Sequence, residues 1–239
     1  MRKRVLYYAI KYSGDYNNIK RAIENNEYYK IVKTNSKYLT IYDQTYPKSL
    51  LQLKKPPFIL FYKGDISLLN YPAVSIVGSR KMTFYGSKYT KVLTQKLKKD
   101  RVIVSGMAAG IDAVAHLEAV TKGKTIAVLG CGINYIYPKS NTNLYNNLSL
   151  NHLIVSEYPD TLPPKPYFFP FRNRIIAALG ESVYVMQASL RSGTMLTVNE
   201  ALELNKSIYV LPYRIDDSEG FGCNYLIQQG ANVILIDDL

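Results

Sequence analysis

The stretch FFPFRNRIIA, residues 168–177, places Arg172, Asn173 and Arg174 between phenylalanines and a proline on one side and an apolar run on the other. A guanidinium removed from water is costly unless a carboxylate, a phosphate or carbonyl groups take up its donors. Each arginine therefore needs a partner, from the chain or from outside it. Helix positions two apart point about 200° from each other, so a helix already begun at Arg172 gives Arg172 and Arg174 different partners. Upstream, EYPDTLPPKPYFFPFRNR at 157–174 carries prolines at 159, 163, 164, 166 and 170. It reads as a semi-rigid loop leading to a helix that starts near Arg172. Lys165, Tyr167, Phe168 and Phe169 alternate cation and aromatic ring, which suits a single-stranded nucleic acid whose phosphates meet basic groups and whose bases stack. At least one of Phe169 and Phe171 is expected to staple the loop to the core instead.

Four glycine- or hydroxyl-bearing turns follow apolar runs: Gly78-Ser79-Arg80, Ser105-Gly106-Met107-Ala108-Ala109-Gly110, Gly130-Cys131-Gly132, and Arg191-Ser192-Gly193-Thr194. Tight turns use glycine for steric reasons alone, but four on one sheet edge, with Arg80 in the first, suit close approach by phosphate. Familiar nucleotide and catalytic signatures are missing. GKT at 123–125 has Glu118 where a P-loop needs its first glycine, and the first turn does not match G-x-G-x-x-G. Asp100 precedes the second strand of the unit, not the end of it as a dinucleotide fold requires. No G-x-S-x-G elbow, Cys/His spacing or Asp-rich cluster appears, so no catalytic residue, metal or cofactor is expected.

These turns need strands and helices to hold them. Runs apolar on both faces, at 73–77, 102–104, 125–129, 153–155, 183–187, 207–211 and 232–236, are separated by helix-length segments. That pattern reads as an α/β fold, a mostly parallel sheet covered by helices on both faces. YGSKYTKVLTQKLKK shows an apolar stripe, and so does IDAVAHLEAVTKG, which Gly123 closes. Residues 1–45 read as a small basic segment with a short helix around Ile19, Ala22 and Ile23, and 46–239 as the main domain. A net charge of +12, from 30 Lys+Arg against 18 Asp+Glu, favours a polyanionic partner. The two cysteines lack metal spacing, and no run spans a membrane, so a cytoplasmic protein is expected.

The ordered motifs VSIVGSRKMTFYG, VSGMAAGIDAVAH, TIAVLGCGINYIYP, SEYP, FPFRNRIIAALG, SGTMLTVNEALE and GCNYLIQQGA resemble the DNA-processing protein A family, DprA or Smf, from about residue 45 to 236. The resemblance implies an extended Rossmann-like fold and a non-catalytic protein that binds single-stranded DNA, protects incoming strands in natural transformation and loads RecA on them. It also implies a homodimer. By position, Gly78, Ser79 and Arg80 match the family's DNA-contacting turn, with Gly106 in the next loop. Lys165 and Phe168 resemble its basic and aromatic contacts, and Arg172, Asn173 and Arg174 its RNR signature, with one arginine facing phosphate and the other tied internally. Tyr213 departs from the family's glycine. An alternative reading is a phosphoribohydrolase-like enzyme on a related fold, with Glu200 in SGTMLTVNE as its carboxylate, although Arg191 and Ser192 replace that stretch's paired glycines. A protein-binding scaffold without DNA affinity is the third.

Overall fold

The computed structural model describes residues 1–238. The seven apolar runs become β3 Ala73–Gly78, β4 Val102–Ser105, β5 Thr125–Val128, β6 Leu153–Ser156, β7 Ser182–Gln187, β8 Ser207–Val210 and β9 Asn232–Val233 of one sheet, to which β1 Lys37–Thr40 and β2 Ile59–Gly64 are added. Their order is β1-β2-β6-β5-β4-β3-β7-β8-β9. From β6 to β9 all neighbours are parallel, while β2 runs antiparallel to both β1 and β6. The last run, expected over 232–236, pairs with β8 only at Asn232 and Val233, and a 3-10 turn takes Ile236–Asp238.

Helices cover both faces, as expected. On one lie α3 (Lys48–Leu51), α7 (Phe168–Leu179), α8 (Gly193–Glu203) and α9 (Phe221–Gln228), which share a core with Val77, Val104, Val128, Val155 and Val185. On the other lie α1 (Arg2–Lys11), α2 (Tyr16–Glu24), α4 (Phe84–Leu97), α5 (Ile111–Ala119) and α6 (Thr142–Asn151). Sheet residues alternate between the two cores: Val102 and Val104 face one and Ile103 the other. Helix α2 falls on the expected apolar pattern, whereas α1 is a helix that its charged start conceals. Val5, Tyr8, Ala9, Ile19 and Ala22 from these helices share a cluster with Phe61, Ala127 and Ile154 of the sheet. Strand β1, ahead of the expected division at residue 45, pairs with β2 along its whole length.

Strand β3 has β4 on one side and β7 on the other, and from it the chain proceeds outward in both directions. That reversal opens a crevice at the carboxyl ends of the strands, where α/β folds place their ligands.

Candidate nucleic-acid interface

A cleft of about 670 Å³ sits at this reversal, and three of the four turns contribute to it: Gly78, Ser79 and Arg80 after β3, Ala108 after β4, and Ser192, Gly193 and Thr194 before α8. Pro164, Pro166, Phe169 and Pro170 of the proline loop form another wall, with Asp112, Arg172 and Asn173 also lining it. The remaining turn, Gly130-Cys131-Gly132, borders an adjoining recess of about 70 Å³ that shares Arg80, Tyr137, Phe169 and Arg172 with the cleft.

The first turn is rigid. The Ile111 N–H donates to the Ser79 carbonyl at 3.1 Å, joining the start of α5 to the turn. Gly110, at φ +80°, permits this approach, because a Cβ there would strike the backbone carbonyls of Ser79 and Arg80. The Ser79 hydroxyl is engaged with the Lys81 backbone, accepting its N–H at 3.1 Å. Arg80 is exposed, has no ion-pair partner among the described residues, and lies 4.9 Å from the centroid of the Phe169 ring. It is the cation the cleft holds ready.

Helix α7 begins at Phe168, four residues before the expected start. Pro170 falls in its first turn, where a missing N–H breaks no intrahelical bond, so proline does not delay the helix. Arg172 and Arg174 are therefore both helical and diverge. Arg174 is 3% exposed and fully tied: Nη1 and Nη2 each donate to the Glu157 carboxylate at 2.6 Å, Nε to the Lys55 carbonyl at 2.9 Å, and Nη1 also to the Phe171 carbonyl. Arg172 is 4% exposed and lines the cleft. Its Nη1 donates to the Val128 carbonyl at 2.6 Å, while its Nε–H has no partner. Asn173 donates from Nδ2 to the Gly193 carbonyl at 3.1 Å, which fixes the start of α8 against α7.

Gly106 is buried beneath this arrangement. A Cβ at that position would collide with the Arg172 guanidinium and come within 2.6 Å of Asp112 Oδ2, so glycine is what lets the guanidinium lie against the backbone. Asp112, in the first turn of α5, accepts the Gly106 N–H at 3.1 Å and the Ala108 N–H at 3.4 Å. Burial pushes its carboxyl above the usual range, against the Arg172 guanidinium and those amide groups, which act in the opposite sense. Burial likewise lowers the Arg172 pKa while Asp112 supports its charge. The cleft is a cationic lining in which Asp112 is committed to backbone amides.

The aromatic assignments change. Phe168, expected to offer its face to a base, is 5% exposed and stacks on Tyr158 with centroids 3.9 Å apart and planes 25° off parallel. It is the staple, since as the first residue of α7 it turns into the protein. Phe169, which the sequence offers both as a stacking ring and, with Phe171, as a candidate staple, is the ring that lines the cleft, 5.5 Å from Tyr137 and under Arg80. Phe171 is half-buried against Tyr16 with the Arg174 guanidinium 3.7 Å from its centroid. Lys165 is exposed between two cleft-lining prolines, its Nζ 5.6 Å from the Phe168 ring, but it does not itself line the cleft. Tyr137 escaped sequence reasoning, because a tyrosine 20 residues ahead of the proline loop carries no local signal that the two meet. Glu200 is not among the cleft residues; Thr197, one turn earlier on α8, is. Tyr213 lies outside the cleft too, its hydroxyl donating to the Met186 carbonyl at 2.9 Å and its ring packed edge-on against Tyr85.

A family model for DNA recombination-mediator protein A matches residues 37–239. The chain belongs to that family. DNA processing protein DprA of Streptococcus pneumoniae is 42% identical over 196 residues, 82% of this chain and 70% of that protein. Protein Smf of Synechocystis is 43% identical over 210 residues, 85% of this chain but 53% of the relative. Among solved structures, the S. pneumoniae DprA superimposes with a TM-score of 0.82 at 34% identity, covering 98% of this chain and 90% of that one. DNA processing protein A from Helicobacter pylori, a structure described for its single-stranded DNA binding mode, gives 0.77 at 37% identity over 85% of this chain and 94% of that one. The extended Rossmann-like architecture expected of a recombination-mediator protein A is thus the one observed. Among the described residues no helix is long and apolar enough to cross a membrane, and no cluster of His, Cys, Asp or Glu could hold a metal ion.

Proposed function

We propose that this protein is a non-catalytic mediator that binds single-stranded DNA in the switch-point cleft, with Arg80 and Arg172 facing phosphate and Phe169 stacking on a base. The observation that carries this reading is the Arg80–Phe169 pair: an exposed cation on a rigid turn laid against a cleft-lining aromatic ring. Single strands are bound by that alternation of charge and ring, because every base has a π-face and every nucleotide a phosphate. Gly78, Ser79 and Gly106 shape the surface, Asn173 positions α8, Lys165 contributes charge at the rim, and Phe168 and Arg174 hold the scaffold. The H. pylori relative, described for its single-stranded DNA binding mode, supports the same ligand class. Protection of incoming strands, transfer to RecA in transformation or recombination, action as a homodimer and a cytoplasmic location belong to this proposal through family membership.

The base-releasing alternative lacks a placed carboxylate. Glu200 lies off the cleft and Asp112 already accepts two amide N–H groups. Titration with single- and double-stranded oligonucleotides at two salt concentrations tests the proposal: tighter single-strand binding that weakens with salt is expected. Equal or better duplex binding overturns it. Base release from a nucleoside monophosphate, abolished by Glu200→Gln, would overturn the non-catalytic part.

A further inference from the structure

We propose that an exposed stripe along helix α4, beginning at Phe84, is a second lane for the same single strand, continuing from the cleft past Arg80. This rests on the reading of the cleft given above.

Phe84 is 85% exposed. Lys88 and Lys91 follow it at the four- and seven-residue spacings that put side chains on one helix face, and both are exposed, as is Gln95 beyond them. Lys81 is exposed in the loop before the helix. No acidic residue occurs between Ser79 and Lys99. Further along, Lys98 pairs with Glu118, Arg101 with Asp100 and Glu181, and Lys96 donates to the Asp237 carbonyl. Arg80, Lys81, Lys88 and Lys91 have no ion-pair partner among the described residues. A ring in water beside four uncompensated cations is a surface complementary to a polyanion that also has faces to stack.

Phe84, the first residue of α4, follows a turn anchored to the sheet. Gln187, fully buried at the end of β7, accepts the Thr83 N–H at 2.8 Å and donates to the Lys81 carbonyl at 3.1 Å. The Thr83 hydroxyl caps α4 by accepting the Gly86 N–H at 3.0 Å. The cleft turn and the start of α4 are thereby one rigid piece, and its short loop leads from Arg80 to Phe84. A strand leaving the cleft at Arg80 meets Lys81 next, then the Phe84 ring, then Lys88 and Lys91. The ligand is a single strand because a paired base offers no free face to Phe84.

The test uses the full chain and labelled oligothymidylates of about 4 and about 16 nucleotides, the range such binding surfaces cover, titrated by fluorescence anisotropy at several salt concentrations. Phe84→Ala is expected to weaken the long oligonucleotide about tenfold while leaving the short one and the melting temperature unchanged. Lys88→Gln with Lys91→Gln should make the salt slope for the long oligonucleotide shallower by about 0.7 for each phosphate no longer neutralised. If short-oligonucleotide binding depends on Arg80 but these variants leave the long one unaffected, the lane is wrong and the cleft reading stands; a stripe that docks an acidic protein face gives that result. Equal weakening of both lengths by Phe84→Ala also overturns the lane, since Phe84 would then belong to the cleft. Wild-type protein that binds neither length overturns both readings.

Discussion

On one side of α7, Arg174 commits its donors to Glu157, Lys55 and Phe171; on the other, Arg172 has one carbonyl, a neighbouring carboxylate and an N–H left over. The side chains leave the helix two residues apart and are equally buried. What separates them is satisfaction. A fully paired buried ion pair fixes geometry, because removing either partner strands a charge away from water. A partly paired guanidinium at a cleft keeps capacity for a ligand. Phe168 and Phe169 repeat the contrast one turn earlier, the first stacked on Tyr158 and the second lining the cleft.

If the Arg174 side is scaffold, its loss should be felt in folding first. Arg174→Ala leaves Glu157 buried without its partner, and an unfolding titration should show a loss of about 3–5 kcal/mol. Combining it with Glu157→Leu should recover part of that loss, because no unpaired charge then remains buried; a double variant no better than the single one would break the assignment.

The phenylalanines sharpen the comparison. Phe168→Ala should cost roughly 3–5 kcal/mol of stability as a buried aromatic truncation. Phe169→Ala should weaken single-strand binding by about 1–3 kcal/mol with the salt slope nearly unchanged. Melting curves and titrations on both variants decide it, and an exchange of the two phenotypes would reverse the roles.

Arg80→Ala should weaken binding by about 1.5–3 kcal/mol, the range for a hydrogen bond to a charged group, and flatten the salt slope by about 0.7. Its melting temperature should stay at the wild-type value, since Arg80 is exposed. Wild-type affinity in this variant would remove DNA from the cleft.

The last effect is spread over pH and is small within any one pH unit. His116 is fully buried in α5, its Nδ1 2.7 Å from the Thr125 hydroxyl. That hydroxyl donates to the Ile103 carbonyl, so Nδ1–H is the donor to Thr125, and the bare Nε2 has no partner. Burial first, then the positive charge of Arg172, pulls the His116 pKa down to about 3, from about 6.5 when unfolded. Between those pH values the unfolded chain binds a proton that the folded one refuses. Stability should therefore fall as pH drops through this window, by up to ~1.4 kcal/mol per pH unit, and this group contributes no slope above it. His152, also lowered by burial, adds in the same direction. Urea midpoints across the window should flatten in His116→Leu; an unchanged slope would place the proton elsewhere.

The sheet was readable because a strand buried on both faces writes a continuous apolar run, and the helices because their stripes repeat. The cleft turns were readable for the same reason, since they follow the runs. Phe168 and Phe169 were not separable: adjacent identical side chains carry one local signal, and the helix start that sends them to different sides lies before Pro170, where the sequence suggests loop. The Arg174–Glu157 pair depends on β6 and α7 meeting in space, and Tyr137 reaches the cleft from the loop after β5. Helix α1 is hidden by three charges in its first residues, Arg2, Lys3 and Arg4, although Val5, Leu6, Tyr8 and Ala9 are buried. Its apolar face exists only once β2 is there to receive it.

The place of β2 in the sheet has a consequence in time. It is made early but sits between β1 and β6, and three strands, β3 to β5, separate it from β6 along the chain. Until β6 emerges, the side of β2 away from β1 is an unpaired edge, and the cluster holding α1 and α2 lacks Ile154. Such non-local pairing slows folding, because loop-closure entropy is lost before the pairing compensates. A nascent chain arrested before residue 153 should hold its amino-terminal helices only loosely, and an open strand edge of that kind is where a growing chain is most exposed to mispairing with its neighbours.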